Sequence, residues 1–352
     1  MENKKKWAII LAVIIVLVIV VIWSESTNKK SDKDLTVGAI VSLTGPAAVW
    51  GESFKNGAEM ALEGKTGIKV LFEDSKGVPA DGISAFDRLQ MQKVDISVSI
   101  LSAVSATLSK TANERKLPLL ASMTTADGIA NDYTVRYFNN VNMYAEPAFT
   151  APISPVIKAK KIAFIYRTDE LGVSTLRRVK ELSTQYGKEL VFTDTFKPNE
   201  SDFLTILSKV KASGAEVLLF TDATPVEGVG ILKKSVQLKL NIPIVEASGV
   251  FGDLGNRKQV EGIPFYSTAF DFVYIDKSMD FKTKYLAKYG KEANYGAAFG
   301  YDSINLLYQC KDKKNDILDC LRDLKQITGV SGTANQVAPG DFVVSMHLEK
   351  VN

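Results

Sequence analysis

The chain contains one histidine, His347, and two cysteines, Cys310 and Cys320, and that inventory narrows the chemistry at once. A serine or threonine nucleophile needs a base within reach. The single imidazole lies in the last strand-like segment, far in sequence from Ser102 and Thr125. No phosphate-loop lysine, dinucleotide glycine triplet or metal-ligand spacing occurs. Glu73 and Asp74 are adjacent carboxyls, which read more readily as the acidic end of a solvent-facing strand than as an acid–base pair. No catalytic residue, metal or cofactor is expected. Cys310 and Cys320 flank a polar turn, Lys311 to Asp316, between two helix-like segments. They read as a disulfide clip, which an extracytoplasmic location would permit, or as two free, buried or half-buried thiols.

The elements around the candidate residues alternate regularly. Leu35 to Leu43 alternates Val37, Ala39 and Val41 with Gly38, Ile40 and Ser42, then stops at Thr44-Gly45-Pro46. This is a strand ended by a turn. Trp50-Gly51-Glu52 opens a helical stretch in which Phe54, Ala58, Ala61 and Leu62 share one face. Further strands are expected at Ile68–Phe72, Ile96–Ile100, Pro118–Ser122, Lys161–Tyr166, Glu189–Phe192, Val217–Phe220 and Pro243–Glu246. Helical patterns lie between them at Ala80–Gln92, Val104–Arg115, Val173–Tyr186, Phe203–Ser213 and Val226–Leu238. Strand and helix in turn predict an α/β fold with parallel sheets and right-handed crossovers. The segment Ile162–Tyr186 echoes Val37–Leu62, as two Rossmann-like lobes would. Such a sheet presents a ligand crevice at the carboxyl ends of its strands.

Composition limits the partners. Of 352 residues 46% are hydrophobic, enough for two lobes with cores of their own. The 43 Lys+Arg against 40 Asp+Glu leave a net charge of +3 and no basic stripe with interleaved aromatics, so nucleic acid is not an expected partner. The N-terminus differs from the rest. Lys4, Lys5 and Lys6 precede an uncharged apolar run from Trp7 to Trp23. At about 1.5 Å per residue the run spans roughly 25 Å, enough for a transmembrane helix with aromatic flanks and slight bilayer thinning. A cleaved signal peptide is the alternative, but Val20 to Ser26 offers a poor cleavage site. The expectation is a cytoplasmic N-terminus at 1–6, a single-pass signal-anchor at 7–23, a tether at 24–34 and a body outside the cytoplasm.

Several segments, in order, resemble one family. They are Val37-Gly38-Ala39-Ile40-Val41-Ser42-Leu43-Thr44-Gly45-Pro46, Asn56-Gly57-Ala58-Glu59-Met60-Ala61, Glu73-Asp74, Lys93-Val94-Asp95, Leu117-Pro118-Leu119-Leu120-Ala121-Ser122 and Gly296-Ala297-Ala298-Phe299-Gly300-Tyr301-Asp302-Ser303. The succession is similar to the leucine/isoleucine/valine-binding proteins, the type I periplasmic substrate-binding proteins of ABC transporters, over about residues 35–352. The resemblance implies two lobes joined by a three-strand hinge, here 35–143 with 273–325 and 144–272 with 326–352. It implies a monomer that takes a small ligand, with amino-acid transport through an ABC permease as the role. A ligand-sensing receptor ectodomain working with a membrane partner is the alternative.

The resemblance also implies a site. Ser102 and Thr125 fall where the family holds a ligand carboxylate with hydroxyls and backbone N–H groups, each on a loop expected to lead into a helix N-terminus, with Met123 beside them and Ser105 and Thr124 as alternates. A helix cap without a ligand is the other reading of the pair. Trp50 and Tyr295 fall at flanking aromatic positions, and Tyr301 is expected in the core. In the second lobe Leu171, Thr224 and Ser248 stand where relatives carry aromatic, tyrosine and acidic residues. An amino acid's ammonium would then need Glu246 first, or Asp222 or Asp169; without such a partner the ligand would be a carboxylate, amide or other solute lacking an amine.

Overall fold

A computed structural model describes residues 34–352, apart from positions 127, 253, 271 and 273–275. Strand β1 (Leu35–Val41) is buried along its whole length, which its run of small and β-branched residues allows. It pairs in parallel with β2 (Ile68–Asp74) on one side and β3 (Ile96–Ser99) on the other. The sheet continues through β4 (Leu119–Ser122) and β5 (Thr134–Tyr137), all parallel. A second sheet repeats the plan. There β6 (Lys161–Arg167) lies between β7 (Glu189–Phe196) and β8 (Val217–Thr221), followed by β9 (Ile244–Glu246) and β10 (Phe265–Phe270). The chain therefore switches sides at β1 and again at β6, and loops diverge at the carboxyl ends of both sheets. The expected strands and helices are found within about one turn of their predicted limits.

The C-terminal strands correct one boundary. The second lobe was expected to include 326–352. Instead β11 (Gln326–Gly329), β12 (Gly332–Ala338) and β13 (Asp341–Val344) extend the first sheet, with β13 parallel to β5. Arg136 Nε and Nη2 fix that junction on Asp341 at 2.6 and 2.7 Å. Only β14 (Met346–Val351) joins the second sheet, antiparallel to β10. The chain thus passes between sheets after β5, after β10 and at Ser345. Phe138, Tyr144 and Phe270, at two of these crossings, pack within the first lobe's core.

Two helices set the first lobe's side of the cleft. Ala48–Leu62 and Tyr295–Gln309 cross so closely that a Cβ at Gly57 would stand 1.9 Å from the Ala297 oxygen, and one at Gly300 2.0 Å from the Phe54 oxygen. Glycine is the residue that permits this approach. Cys310, which ends the second of these helices, is disulfide-bonded to Cys320 in the helix Ile317–Asp323. The expected anchor at 7–23 and tether before Asp34 lie outside the described residues. Among the described residues no helix is long and apolar enough to cross a membrane.

Gly300→Ala forces the two backbones apart and should lower stability by about 1–3 kcal/mol, the usual cost of overpacking. Urea unfolding measures it. A midpoint equal to wild type would show that the crossing tolerates a side chain.

Candidate ligand-binding site

A cavity of about 140 Å³ opens between the carboxyl edges of the two sheets. Its lining includes Trp50, Leu101, Ser102, Met123, Thr125, Leu171, Asp222, Ser248 and Tyr295. Phe138, Tyr144, Ala223 and Val250 complete it and were not anticipated. Phe138 and Tyr144 belong to a crossing between the lobes, whose position is set by long-range pairing and leaves no local pattern. Val250 follows Ser248 by two residues, and that proximity could have signalled it.

On the first lobe the hydroxyl pair is held by unusual backbone. Leu101 has φ +70° and Met123 φ +48°, a region that non-glycine residues seldom occupy. Leu101 N–H donates to the Met123 oxygen at 3.3 Å, so the two turns brace each other. Ser102 then begins the helix Ser102–Arg115, and Leu101, not Ser102, is its N-cap. The Ser102 hydroxyl accepts the Thr125 N–H at 3.1 Å and lies 3.0 Å from Thr125 Oγ1. One hydroxyl donates to the other, which leaves one proton for an outside acceptor. The helix N-terminus adds free N–H groups and a favourable dipole for an anion. Thr125 does not open a helix as expected, because among the described residues the next one begins at Asn142. Ser105 and Thr124 are buried elsewhere; Ser105 lies 2.9 Å from Ser99 Oγ, and Thr124 accepts the Ala126 N–H.

Aromatic rings wall the same side. Trp50 and Tyr295 stack with centroids 4.5 Å apart, and Phe138 lies 6.3 Å from Tyr295. Tyr301 packs on Phe281, away from the lining. Burial, with Tyr295 and Glu246 adding, holds the Tyr144 phenol well above its ordinary pKa, so it remains a neutral donor.

The second lobe contributes acid. Asp222 is wholly buried, follows β8 and lines the cavity. Its Oδ2 has no hydrogen-bond partner, and a Cβ at Gly228 would stand 2.2 Å from it. Ser248 Oγ accepts the Asp222 N–H at 3.0 Å and is hydrogen-bonded to Asp222 Oδ1. Glu246, the first choice for an ammonium partner, lies outside the lining. Its Oε1 is 2.5 Å from Ser248 Oγ and accepts the Val250 N–H at 3.2 Å, while Oε2 accepts Ser267 Oγ–H at 2.6 Å. Thr224 also lies outside the lining. Asp169 pairs with Arg167, whose guanidinium also holds the buried Glu227 at 2.7 and 2.8 Å. Glu227 accepts the Ala223 N–H at 2.9 Å, which ties this ion pair to the Asp222 loop. Burial, then the charge of Glu246, pushes the Asp222 carboxyl well above its ordinary pKa. Burial pushes Glu246 up as well, against the hydrogen bonds it accepts. Among the described residues no His, Cys, Asp and Glu group could hold a metal ion.

The family described as periplasmic binding protein matches residues 34–341, and the chain belongs to it. The Leu/Ile/Val-binding protein homolog 3 of Brucella melitensis is 30% identical over 53% of this chain and 54% of its own length. The Leu/Ile/Val-binding protein BraC3 of Rhizobium johnstonii is 27% identical over 62% of each. The chain thus spans little more than half the length of these curated relatives. Among solved structures, the branched-chain amino acid transporter substrate binding protein LivJ of Streptococcus pneumoniae, in complex with isoleucine, shares the fold. Its TM-score is 0.75, at 21% identity over 90% of this chain and all of that one (100%). A solute binding protein of an ABC transporter from Rhodopseudomonas palustris, in complex with 3,4-dihydroxybenzoic acid, has a TM-score of 0.78 at 19% identity over 91% and 94%.

The raised pair of acids predicts a pH dependence of stability. In the unfolded chain an aspartate releases its proton near pH 4; in the folded protein the pair keeps one to higher pH. The folded state then binds more protons, so stability falls as pH rises from about 4 until the pair ionises. Asp222→Asn should flatten that slope in ligand-free protein. Urea midpoints between pH 5 and 8 measure it, and parallel curves for variant and wild type would refute the raised pKa.

Proposed function

We propose that this chain is the extracytoplasmic solute-binding component of an ABC importer. It captures a small carboxylate-bearing ligand, an amino acid first, between its lobes and presents it to a membrane permease. The cavity carries this reading, because it joins a hydroxyl pair beside a helix N-terminus on one lobe to a buried acid on the other. A ligand carboxylate would accept from Ser102, Thr125 and the free N–H groups, and charge-assisted hydrogen bonds of this kind are strong. The ammonium of an amino acid would meet Asp222 in preference to Glu246, since Asp222 lines the cavity. Contacts divided between lobes favour the closed arrangement, and binding would shift the hinge toward it. The apolar run Trp7–Trp23 supports a tether that keeps the protein, as a monomer, at the membrane.

A second ligand class has its own support. Trp50, Phe138, Tyr144 and Tyr295 are four aromatic side chains around a small cavity, a lining that suits the flat face of an aromatic acid. A thermal-shift screen of the full chain against amino acids and aromatic carboxylates separates the two. A ligand at 100 times its dissociation constant adds about 2.7 kcal/mol. No response to any carboxylate would sink both readings.

Ser102→Ala and Thr125→Ala should each weaken the ligand found by about 1.5–3 kcal/mol, the cost of losing a hydrogen bond to a charged group. Since the two hydroxyls bond to each other, the double variant should lose less than the sum. Calorimetric titration tests this, and unchanged affinity in both single variants would place the carboxylate elsewhere.

A further inference from the structure

A hydroxyl has one proton to donate and two lone pairs to accept with. Ser248 Oγ accepts the Asp222 N–H at 3.0 Å, is hydrogen-bonded to Asp222 Oδ1 and stands 2.5 Å from Glu246 Oε1. Its single proton can point at only one of the two acids. With both ionised, the other contact would set lone pair against lone pair. All three contacts are satisfied when one carboxyl carries a proton, donates it to Ser248, and Ser248 donates to the other acid. The remaining donors identify which acid is charged. Glu246 also accepts from Ser267 Oγ and Val250 N–H and is hydrogen-bonded to the Asp222 carboxyl itself, whereas no donor reaches Asp222 Oδ2. In the empty cavity the charge therefore sits on Glu246, and Asp222 is neutral.

The surrounding charges do not alter that count. Glu227, on the helix after β8, is held by Arg167. Glu349, which reaches the pair from β14, is bonded to Arg257. Tyr144 is buried and stays a neutral phenol. Among the described residues no salt bridge includes Asp222 or Glu246.

We propose that Asp222, Ser248 and Glu246 form a one-proton relay that matches the charge of the cavity's second-lobe end to the ligand. The proposal rests on the reading of this cavity as a carboxylate site. A ligand that presents only a neutral hydroxyl to this end of the cavity leaves the proton where it is. A ligand that presents a cationic amine to the second lobe draws the charge forward. The Asp222 Oδ1–H bond breaks as that proton passes to Ser248 Oγ, and the Ser248 proton passes to Glu246 Oε1. Asp222 is then a carboxylate against the ammonium, Glu246 is neutral, and no proton enters or leaves the protein. One cavity thus accepts carboxylates that present either an amine or a hydroxyl to the second lobe, and Ser248, beside the direct Asp222–Glu246 contact, is the positioning residue that links the two states.

Infrared difference spectroscopy of the full-length protein at neutral pH reads the proton directly. Ligand-free wild type should show the carbonyl stretch of one protonated carboxyl, and Asp222→Asn should abolish it. Saturation with L-isoleucine should shift that band without removing it, and saturation with 4-hydroxybenzoate should leave it nearly in place. Calorimetry in buffers of different ionisation enthalpy should find close to zero protons exchanged on binding either probe. Ser248→Ala should weaken L-isoleucine about tenfold more than 4-hydroxybenzoate, a difference of one pKa unit in interaction, with ligand-free stability compared separately. Absence of the band in empty wild type overturns the proposal, and so does release of about one proton with L-isoleucine. If neither probe nor any other carboxylate binds, the carboxylate reading fails and the charge shift falls with it, while the band in the empty protein still decides the proton count.

Discussion

Parallel pairing is the constraint from which the site follows. A strand followed by a crossover helix and a parallel neighbour returns every connection to the same edge of the sheet. Because β1 is flanked by β2 and β3, the loops leaving β1 and β3 diverge there. The same holds around β6, between β7 and β8. Trp50, Ser102 and Thr125 come from carboxyl-edge connections of the first sheet, and Leu171, Asp222 and Ser248 from those of the second. Side chains far apart in sequence meet because two sheets present the same edge to one cavity.

The two sides of that cavity are built on different physical terms. The first lobe offers hydroxyls and N–H groups, supported by backbone strain. Leu101 and Met123 at positive φ cost on the order of 1–3 kcal/mol each. The surroundings that sustain them are fully buried strands, β3 and β4, and a direct hydrogen bond between the two turns. The second lobe offers buried acid without a cation. Asp222 and Glu246 avoid the cost of two unpaired buried charges by titration and hydrogen bonding. The Arg167–Glu227 pair beside them is spent on the loop itself, through Ala223 N–H, rather than on neutralising Asp222.

The repeating parts of the fold were legible because they are local. Alternation in Leu35–Leu43 and helical spacing after Trp50 describe β1 and the helix Ala48–Leu62 closely. The boundary expected at Lys325 was wrong for a different reason. Strands β11 and β12 are partly exposed and β13 has only four residues, and their sheet is decided by a partner about two hundred residues earlier, with Asp341 on Arg136. At the site, the resemblance to the binding-protein family, rather than any local pattern, singled out Ser102, Trp50 and Tyr295. Glu246 and Ser248 share a side of the strand end, as their two-residue spacing implies; that Ser248 stands between Glu246 and the cavity depends on where β8 places Asp222. Thr224 and Glu246 were near the lining in sequence but are not part of it.

The small cavity makes this distinction consequential. A buried carboxylate facing apolar walls favours a cation and penalises a neutral ligand, while a neutral carboxyl does the reverse less strongly. Asp222 alone would commit the site to one class. Ser248 connects it to a second acid already supplied with donors, so the charge has a place to rest when no cation is present. The same lobe that supplies the polar contact therefore keeps the empty cavity from holding an isolated ion. That is a requirement of any cleft that must stay folded both with and without its ligand.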